Sequence, residues 1–278
     1  MTFFARSIEH FCLICYNKKK EGDTMHKTED LINYLLSERH DLGGIEIPAN
    51  EADQFRLYRS LVNIRPAVKA SEEYLQAEDE YLTALTERKG ITDISGLSPI
   101  EDGIYLWKGD ITTLKCGAIV NAANSGMTGC WQPCHRCIDN CIHTFAGVRL
   151  RYQCAQIMAK QGHEEPTGKA KITPAYNLPC DYVIHTVGPI VQGRLTDVHC
   201  SLLESSYQSC LDLAVQNGID SIAFCCISTG VFGFPQDRAA EIAVDTVRAF
   251  RKKHQIQVIF NVFKEEDHEY YKKLLGGN

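Results

Sequence analysis

Between Gly129 and His143 the chain reads Gly-Cys-Trp-Gln-Pro-Cys-His-Arg-Cys-Ile-Asp-Asn-Cys-Ile-His. Cys130, Cys134, His135 and Cys137 fall within eight residues. Thiolate and imidazole together suit zinc. Uncoordinated thiols, or a closed structural site of three cysteines and one histidine, are the alternatives. Asp139 follows within two residues and offers a carboxylate beside this cluster. Three further segments carry residues that could hold a ligand. Lys108-Gly-Asp-Ile-Thr-Thr supplies Asp110. Val120-Asn-Ala-Ala-Asn-Ser supplies Asn124, whose amide can both donate to and accept from hydroxyl groups. Ile227-Ser-Thr-Gly-Val-Phe-Gly-Phe-Pro ends a buried run and leads into a helical pattern. Gly230 and Gly233 let that backbone turn tightly, and Pro235 suits a first helical turn. Backbone amides in such a loop, beside a helix N-terminus, can cradle phosphate. A plain strand-to-helix turn would also need glycine there. Neither GxGxxG nor GxxxxGK[ST] occurs, so dinucleotide-fold and P-loop readings lose support.

These segments need elements to position them. After residue 100, short apolar runs at 103–107, 117–121, 182–187, 221–227 and 256–263 read as strands. Helical patterns lie near 139–162, 197–217, 236–254 and 266–275. In the second of these, Leu203, Tyr207, Cys210, Leu211 and Ala214 recur at helical spacing; in the third, Ala239, Ala243, Val247 and Phe250 do. Strands alternating with helices predict a sheet covered on both faces. In such folds ligands sit at the loops leaving the carboxyl ends of the strands. Residues 28–87 read as helical, with Leu31, Leu35 and Leu36 on one face and Phe55, Leu57, Tyr58, Leu61 and Val62 on another. Gly90 and Ser95-Gly-Leu-Ser-Pro mark a linker. Residues 1–24 are unlike the rest and read as a disordered extension or an over-long start ahead of Met25.

The chain has 278 residues, enough for one large domain or two modest ones. Hydrophobic residues at 44% and charged residues at 23% exclude a disordered or fibrous class. A net charge of −6 argues against a general nucleic-acid binder. No apolar run reaches the length of a membrane helix, and the start lacks a signal-peptide core. With 13 cysteines and nothing suggesting secretion, a reducing cytoplasmic setting is expected, where a cysteine cluster signals metal or catalysis. Cys210, Cys225 and Cys226 sit in apolar runs and read as core. His143 and His185 read as buried, hydrogen-bonded histidines, and Trp131 as a loop-packing residue or a lid.

Taken in order, Gly109-Asp110-Ile111-Thr112, Asn121-Ala-Ala-Asn124, Pro166-Thr-Gly-Lys-Ala170, His185-Thr-Val-Gly-Pro189, Ser228 to Pro235 and Val262 to Asp267 resemble a macrodomain, the ADP-ribose-binding module. The resemblance spans about 100–275. It implies a three-layer α/β/α fold with a mixed sheet over 100–278, preceded by a small helical region over 25–99. It implies that Asp110, with Ile111 beside it, takes the adenine amine, that Asn124 meets the distal ribose, and that Ser228, Thr229, Gly230, Val231, Phe232 and Gly233 hold the pyrophosphate, with Phe232 near the distal ribose. Many hydrolytic macrodomains carry glycines where this chain has its cysteine cluster. In that respect it resembles the zinc-containing subgroup, whose Cys-x4-His-x-Cys pattern falls on Cys130, His135 and Cys137, leaving Cys134 as a reserve ligand or bystander. Three protein ligands leave a fourth position open, as in catalytic zinc sites.

The expectation is a Zn2+-dependent hydrolase of mono-ADP-ribosylated protein, with Asp139 and Asn124 as its catalytic pair. The resemblance further implies a lipoyl-carrier substrate related to glycine-cleavage H protein and a class M sirtuin as its modifying partner. Two rivals remain: a non-catalytic ADP-ribose reader and an O-acetyl-ADP-ribose deacetylase. No nucleic-acid or membrane partner is expected.

Overall fold

The computed structural model describes residues 24–42 and 44–276. The extension read over 1–24 lies, apart from Thr24, outside them. Three helices come first: α1 (Thr24–Ser37), α2 (Glu51–Ile64) and α3 (Glu72–Lys89). Asn50 caps α2 by accepting from the Asp53 amide, and Ser71 caps α3 by accepting from the Tyr74 amide. Leu31, Ile32 and Leu35 of α1, Tyr58, Leu61 and Val62 of α2, and Tyr81, Leu82 and Leu85 of α3 close into one core of their own. Of the residues read onto the α1 face, Leu36 is only partly buried.

A two-residue strand β1 (Thr92–Asp93) leads to β2 (Ile104–Lys108), β3 (Leu114–Lys115) and β4 (Ala118–Ala122). The order then runs α4 (Ile138–Ala146), α5 (Val148–Gln161), β5 (Ala170–Pro174), β6 (Tyr182–Thr186), α6 (Asp197–Gln216), β7 (Ser221–Phe224), α7 (Gln236–Arg251), β8 (Gln257–Val262) and α8 (Glu265–Leu275). The main sheet has the order β2-β8-β7-β4-β6-β5. All its pairs are parallel except β5 with β6. Its central strands are apolar and almost fully buried, as a sheet covered on both faces requires. Helices α6, α7 and α8 pack in series, while α4 and α5 pack on each other and on β4 and β5. The result is a three-layer α/β/α fold with a mixed sheet, as expected. No helix among the described residues is long and apolar enough to cross a membrane.

Two departures from the sequence reading have physical causes. The helix expected over 139–162 is two helices, broken at Gly147, whose φ of 89° and ψ of 175° suit glycine alone. A Cβ there would stand 2.5 Å from Glu78 Oε2. That carboxylate, fully buried on α3, accepts from Tyr58 Oη at 2.7 Å, Tyr74 Oη at 2.9 Å and the Val148 amide at 2.9 Å. The break therefore lets α3 dock on the start of α5. The unforeseen strand β5 is an edge strand ending in Pro174, where proline costs no ladder bond.

Candidate active site

The sheet order itself arranges the site. Strands β2, β8, β7 and β4 are neighbours and mutually parallel, so the loops from their carboxyl ends line one edge. Asp110 follows β2, the 228–233 loop follows β7, and Asn124 to Cys137 follow β4. A carboxylate, an amide-rich loop and a polar, thiol-bearing loop thus stand in that order along the carboxyl edge of the sheet, where ligands bind in such folds.

At the β2 end, Asp110 caps a 3₁₀ turn over 111–113. Its Oδ1 accepts from the Thr112 amide at 3.0 Å and the Thr112 hydroxyl at 2.6 Å. Its Oδ2 lies 2.5 Å from Lys89 Nζ, delivered by the last turn of α3. Lys89 also donates to Thr112 Oγ1 at 3.1 Å and lies 3.6 Å over the Phe145 ring. Burial raises the Asp110 pKa, but Lys89 and the Thr112 donors outweigh it and hold the carboxyl below its usual value. The Ile111 side chain is in the core at 1% exposure.

In the 228–233 loop, Ser228 takes a left-handed conformation, φ 65°, rare for a residue with a side chain. Its hydroxyl is buried without a hydrogen-bond partner. Gly188 makes room for it, since a Cβ there would lie 2.1 Å from Ser228 Oγ. The turn is tied by Phe234 N to Ser228 O at 3.0 Å, Gly233 N to Gly230 O at 3.1 Å and Val191 N to Phe232 O at 2.8 Å. The amides of Gly230, Val231 and Phe232 donate to no backbone carbonyl outside regular elements among the described residues. They are available to an external acceptor such as pyrophosphate.

At the β4 end a polar chain runs inward. Asn121 Nδ2 donates to Asp139 Oδ1 at 2.8 Å and meets His185 Nδ1 at 3.1 Å. Asn124 Nδ2 donates to Gly129 O at 3.1 Å and reaches Asp139 Oδ2 at 3.3 Å; its Oδ1 accepts from the Gly126 amide at 3.0 Å. Asp139, in the first turn of α4, is 4% exposed, and burial pushes its pKa up to about 6. His185 is the hydrogen-bonded core histidine expected, with its second ring nitrogen 2.9 Å from Thr173 Oγ1. His143 is buried too but differs: neither ring nitrogen has a hydrogen-bond partner, Nε2 lies 3.5 Å from Asp139 Oδ1, and burial holds the ring neutral.

Cys130, His135 and Cys137 converge, each offering a ligand atom within 4.8 Å of the others. Cys130 Sγ is 3.6 Å from His135 Nδ1. Cys137 caps α4, its sulfur accepting from the Asn140 amide at 3.4 Å. Burial, reinforced by Cys130 and Asp139, pushes the Cys137 thiol up to about 12. A divalent cation reverses that balance, because coordination deprotonates a thiol outright. Two soft sulfurs and one imidazole in one loop are a donor set that fits zinc. Cys134 does not join them: its amide donates to Asn63 Oδ1 at 2.9 Å and its sulfur to the Arg56 carbonyl at 3.4 Å. Trp131 stacks under the Arg151 guanidinium, 4.1 Å from its ring centre, and its Nε1 donates to Thr128 Oγ1 at 3.3 Å.

Sequence reasoning placed no role on Lys89, Arg59 or Arg151. Each acts across a gap in sequence that only the fold closes. Asn121 stood inside a recognised motif, so its position was visible though its contact with Asp139 was not.

These loops, at the carboxyl ends of neighbouring parallel strands in this sheet order, have the arrangement of a macrodomain. Residues 120–243 match the Macro domain family model. Over 252 residues the chain is 59% identical to a protein-ADP-ribose hydrolase of Treponema medium, covering 88% of this chain and 97% of that protein. It is 51% identical to a protein-ADP-ribose hydrolase of Staphylococcus aureus strain MRSA252, covering 89% of this chain and 94% of that one. Among solved structures, the Trypanosoma brucei macrodomain in complex with ADP-ribose superposes with a TM-score of 0.61 at 31% identity, over 78% of this chain and 95% of that one. The chain belongs to the macro domain family.

Proposed function

We propose that this protein is a zinc-dependent hydrolase that removes mono-ADP-ribose from modified protein. One observation carries the reading: Cys130, His135 and Cys137 converge as a candidate metal set on the loop that leads directly into the buried, ionisable Asp139. The hydrolase names of the Treponema and Staphylococcus relatives support it.

Asp110 would accept from the adenine amine, and the 228–233 amides would fix the pyrophosphate, so that the distal ribose is held beside Asn124 and Asp139. Asn124 would meet the ribose hydroxyls. Asp139, with a pKa about 6, is largely ionised at neutral pH yet basic enough to take a proton from water. Water then adds to the anomeric carbon, the bond to the protein side chain breaks, and that side chain leaves with a proton. Zinc, held by Cys130, His135 and Cys137, would supply Lewis-acid stabilisation of developing charge.

The resemblance to the zinc-containing subgroup extends the proposal to the substrate. It would be a lipoyl-carrier protein related to glycine-cleavage H protein, modified by a class M sirtuin, in the cytoplasm. The test incubates the purified protein with the ADP-ribosylated carrier, with and without a chelator, and follows release of ADP-ribose. Elemental analysis accompanies it. About one zinc per chain, lost in Cys137→Ala, and release abolished by chelation support the reading. Chelator-insensitive release refutes the zinc dependence, and binding without release leaves an ADP-ribose reader.

A further inference from the structure

The metal loop has little structure of its own. Its internal backbone bonding is a single turn, His135 N to Gln132 O at 3.2 Å. Yet it must hold three ligands together and keep Cys134 left-handed, φ 53°, a strained state for a residue with a side chain. What determines its shape is α2. Arg56, Arg59 and Asn63 lie three and four residues apart, one stripe of that helix. Arg59 Nη2 donates to the His135 carbonyl at 2.7 Å and to Asn140 Oδ1 at 2.8 Å. The Asn140 side chain in turn donates to Gln132 O at 3.0 Å, while its amide caps onto Cys137 Sγ. Asn63, 1% exposed, accepts from the Cys134 amide at 2.9 Å and donates to Thr144 Oγ1 at 3.1 Å. The Asn63 carbonyl accepts from Arg151 Nη1 at 2.6 Å, and Arg151 Nη2 donates to the Cys130 carbonyl at 3.3 Å. All three ligands are therefore tied to α2, His135 directly and the others through one intermediary.

We propose that Arg59 and Asn63 are positioning residues for the metal: α2 sets the loop's geometry before the ion arrives, and so sets its affinity. Arg59 fixes the His135 carbonyl and the side chain of Asn140, whose backbone amide donates to Cys137 Sγ. Asn63 fixes the strained turn that aims His135. This gives the helical region ahead of the sheet a part in the chemistry, and it rests on the zinc reading above.

The experiment uses the full chain and the variants Arg59→Met, Arg59→Lys and Asn63→Ala. Zinc affinity is measured by competition with a chromophoric chelator. Hydrogen exchange over 130–137 is measured on the metal-free protein, and ADP-ribose affinity by calorimetry. Arg59→Met and Asn63→Ala should each weaken zinc by about 10- to 100-fold, as loss of a partner behind a metal ligand does. Arg59→Lys, keeping the charge and one donor direction, should fall between. Exchange over 130–137 should quicken in both weakened variants, while ADP-ribose affinity stays within about threefold, since its amide and carboxylate contacts lie elsewhere. Zinc affinity and loop exchange equal to the native chain overturn the proposal. So does a parallel loss of ADP-ribose binding, which marks a general folding defect. A native chain that takes up no zinc refutes the zinc reading itself, and does so before any variant is made.

Discussion

Replacing Asp139 by asparagine separates the energetic cost of this carboxylate from its use. The group is 4% exposed, and burial sets its pKa at about 6 against an ordinary 3.8. The folded state thus holds the proton more tightly than the unfolded chain. The associated stability is complete below the unfolded value and is lost as pH rises through about 6. Applying both values at each pH, the native chain loses about 1.4 kcal/mol between about pH 5 and about pH 7.5 that the asparagine variant does not lose. Asparagine also alters the bonds from Asn121 and Asn124, but that change is a constant offset with pH. The decisive quantity is therefore the slope of the stability difference. Urea unfolding of metal-free protein across this range measures it. The variant should gain on the native chain as pH rises, while turnover falls by about 10²- to 10⁴-fold and ADP-ribose binding stays within about tenfold. A stability difference that is flat with pH would refute the buried, raised carboxylate. Native turnover in a zinc-retaining variant would refute its role as base.

Lys89→Met removes the cation beside Asp110 and should weaken ADP-ribose by about 3- to 10-fold near neutral pH. Its acid limb should also move to higher pH, because burial then pushes the Asp110 carboxyl up unopposed by Lys89; calorimetric titration at several pH values checks both. Gly147→Ala forces a side chain into a glycine-only conformation and against Glu78, and should cost about 2–4 kcal/mol in urea unfolding; a loss under about 1 kcal/mol would mean α3 and α5 part easily.

What could be read from the chain alone was what is local. Strand and helix positions from 100 onward followed from apolar runs and helical spacing. The loop with unengaged amides lies within Ser228 to Pro235, and three members of the Cys130, Cys134, His135 and Cys137 cluster converge. What the chain alone did not show depends on contacts distant in sequence. The 139–162 pattern looked continuous because Gly147 breaks it for the sake of Glu78, 69 residues earlier. The open choice for Cys134, reserve ligand or bystander, was likewise beyond the sequence, since its direction is set by Asn63 on α2.

The same distinction explains how the two parts of the chain divide the work. The thiol loop has a single internal backbone hydrogen bond, His135 N to Gln132 O, so its own packing gives it little rigidity. Its rigidity has to come from behind, through polar contacts to a helix with its own hydrophobic core. Tyr58, Leu61 and Val62 give α2 that core, on the face away from the Arg56, Arg59 and Asn63 stripe's partners. Lys89 makes the corresponding contact from α3 at Asp110. Asp110 and the thiol loop are thus braced by helices from outside the sheet, and neither brace could be recognised without the fold that brings it within reach.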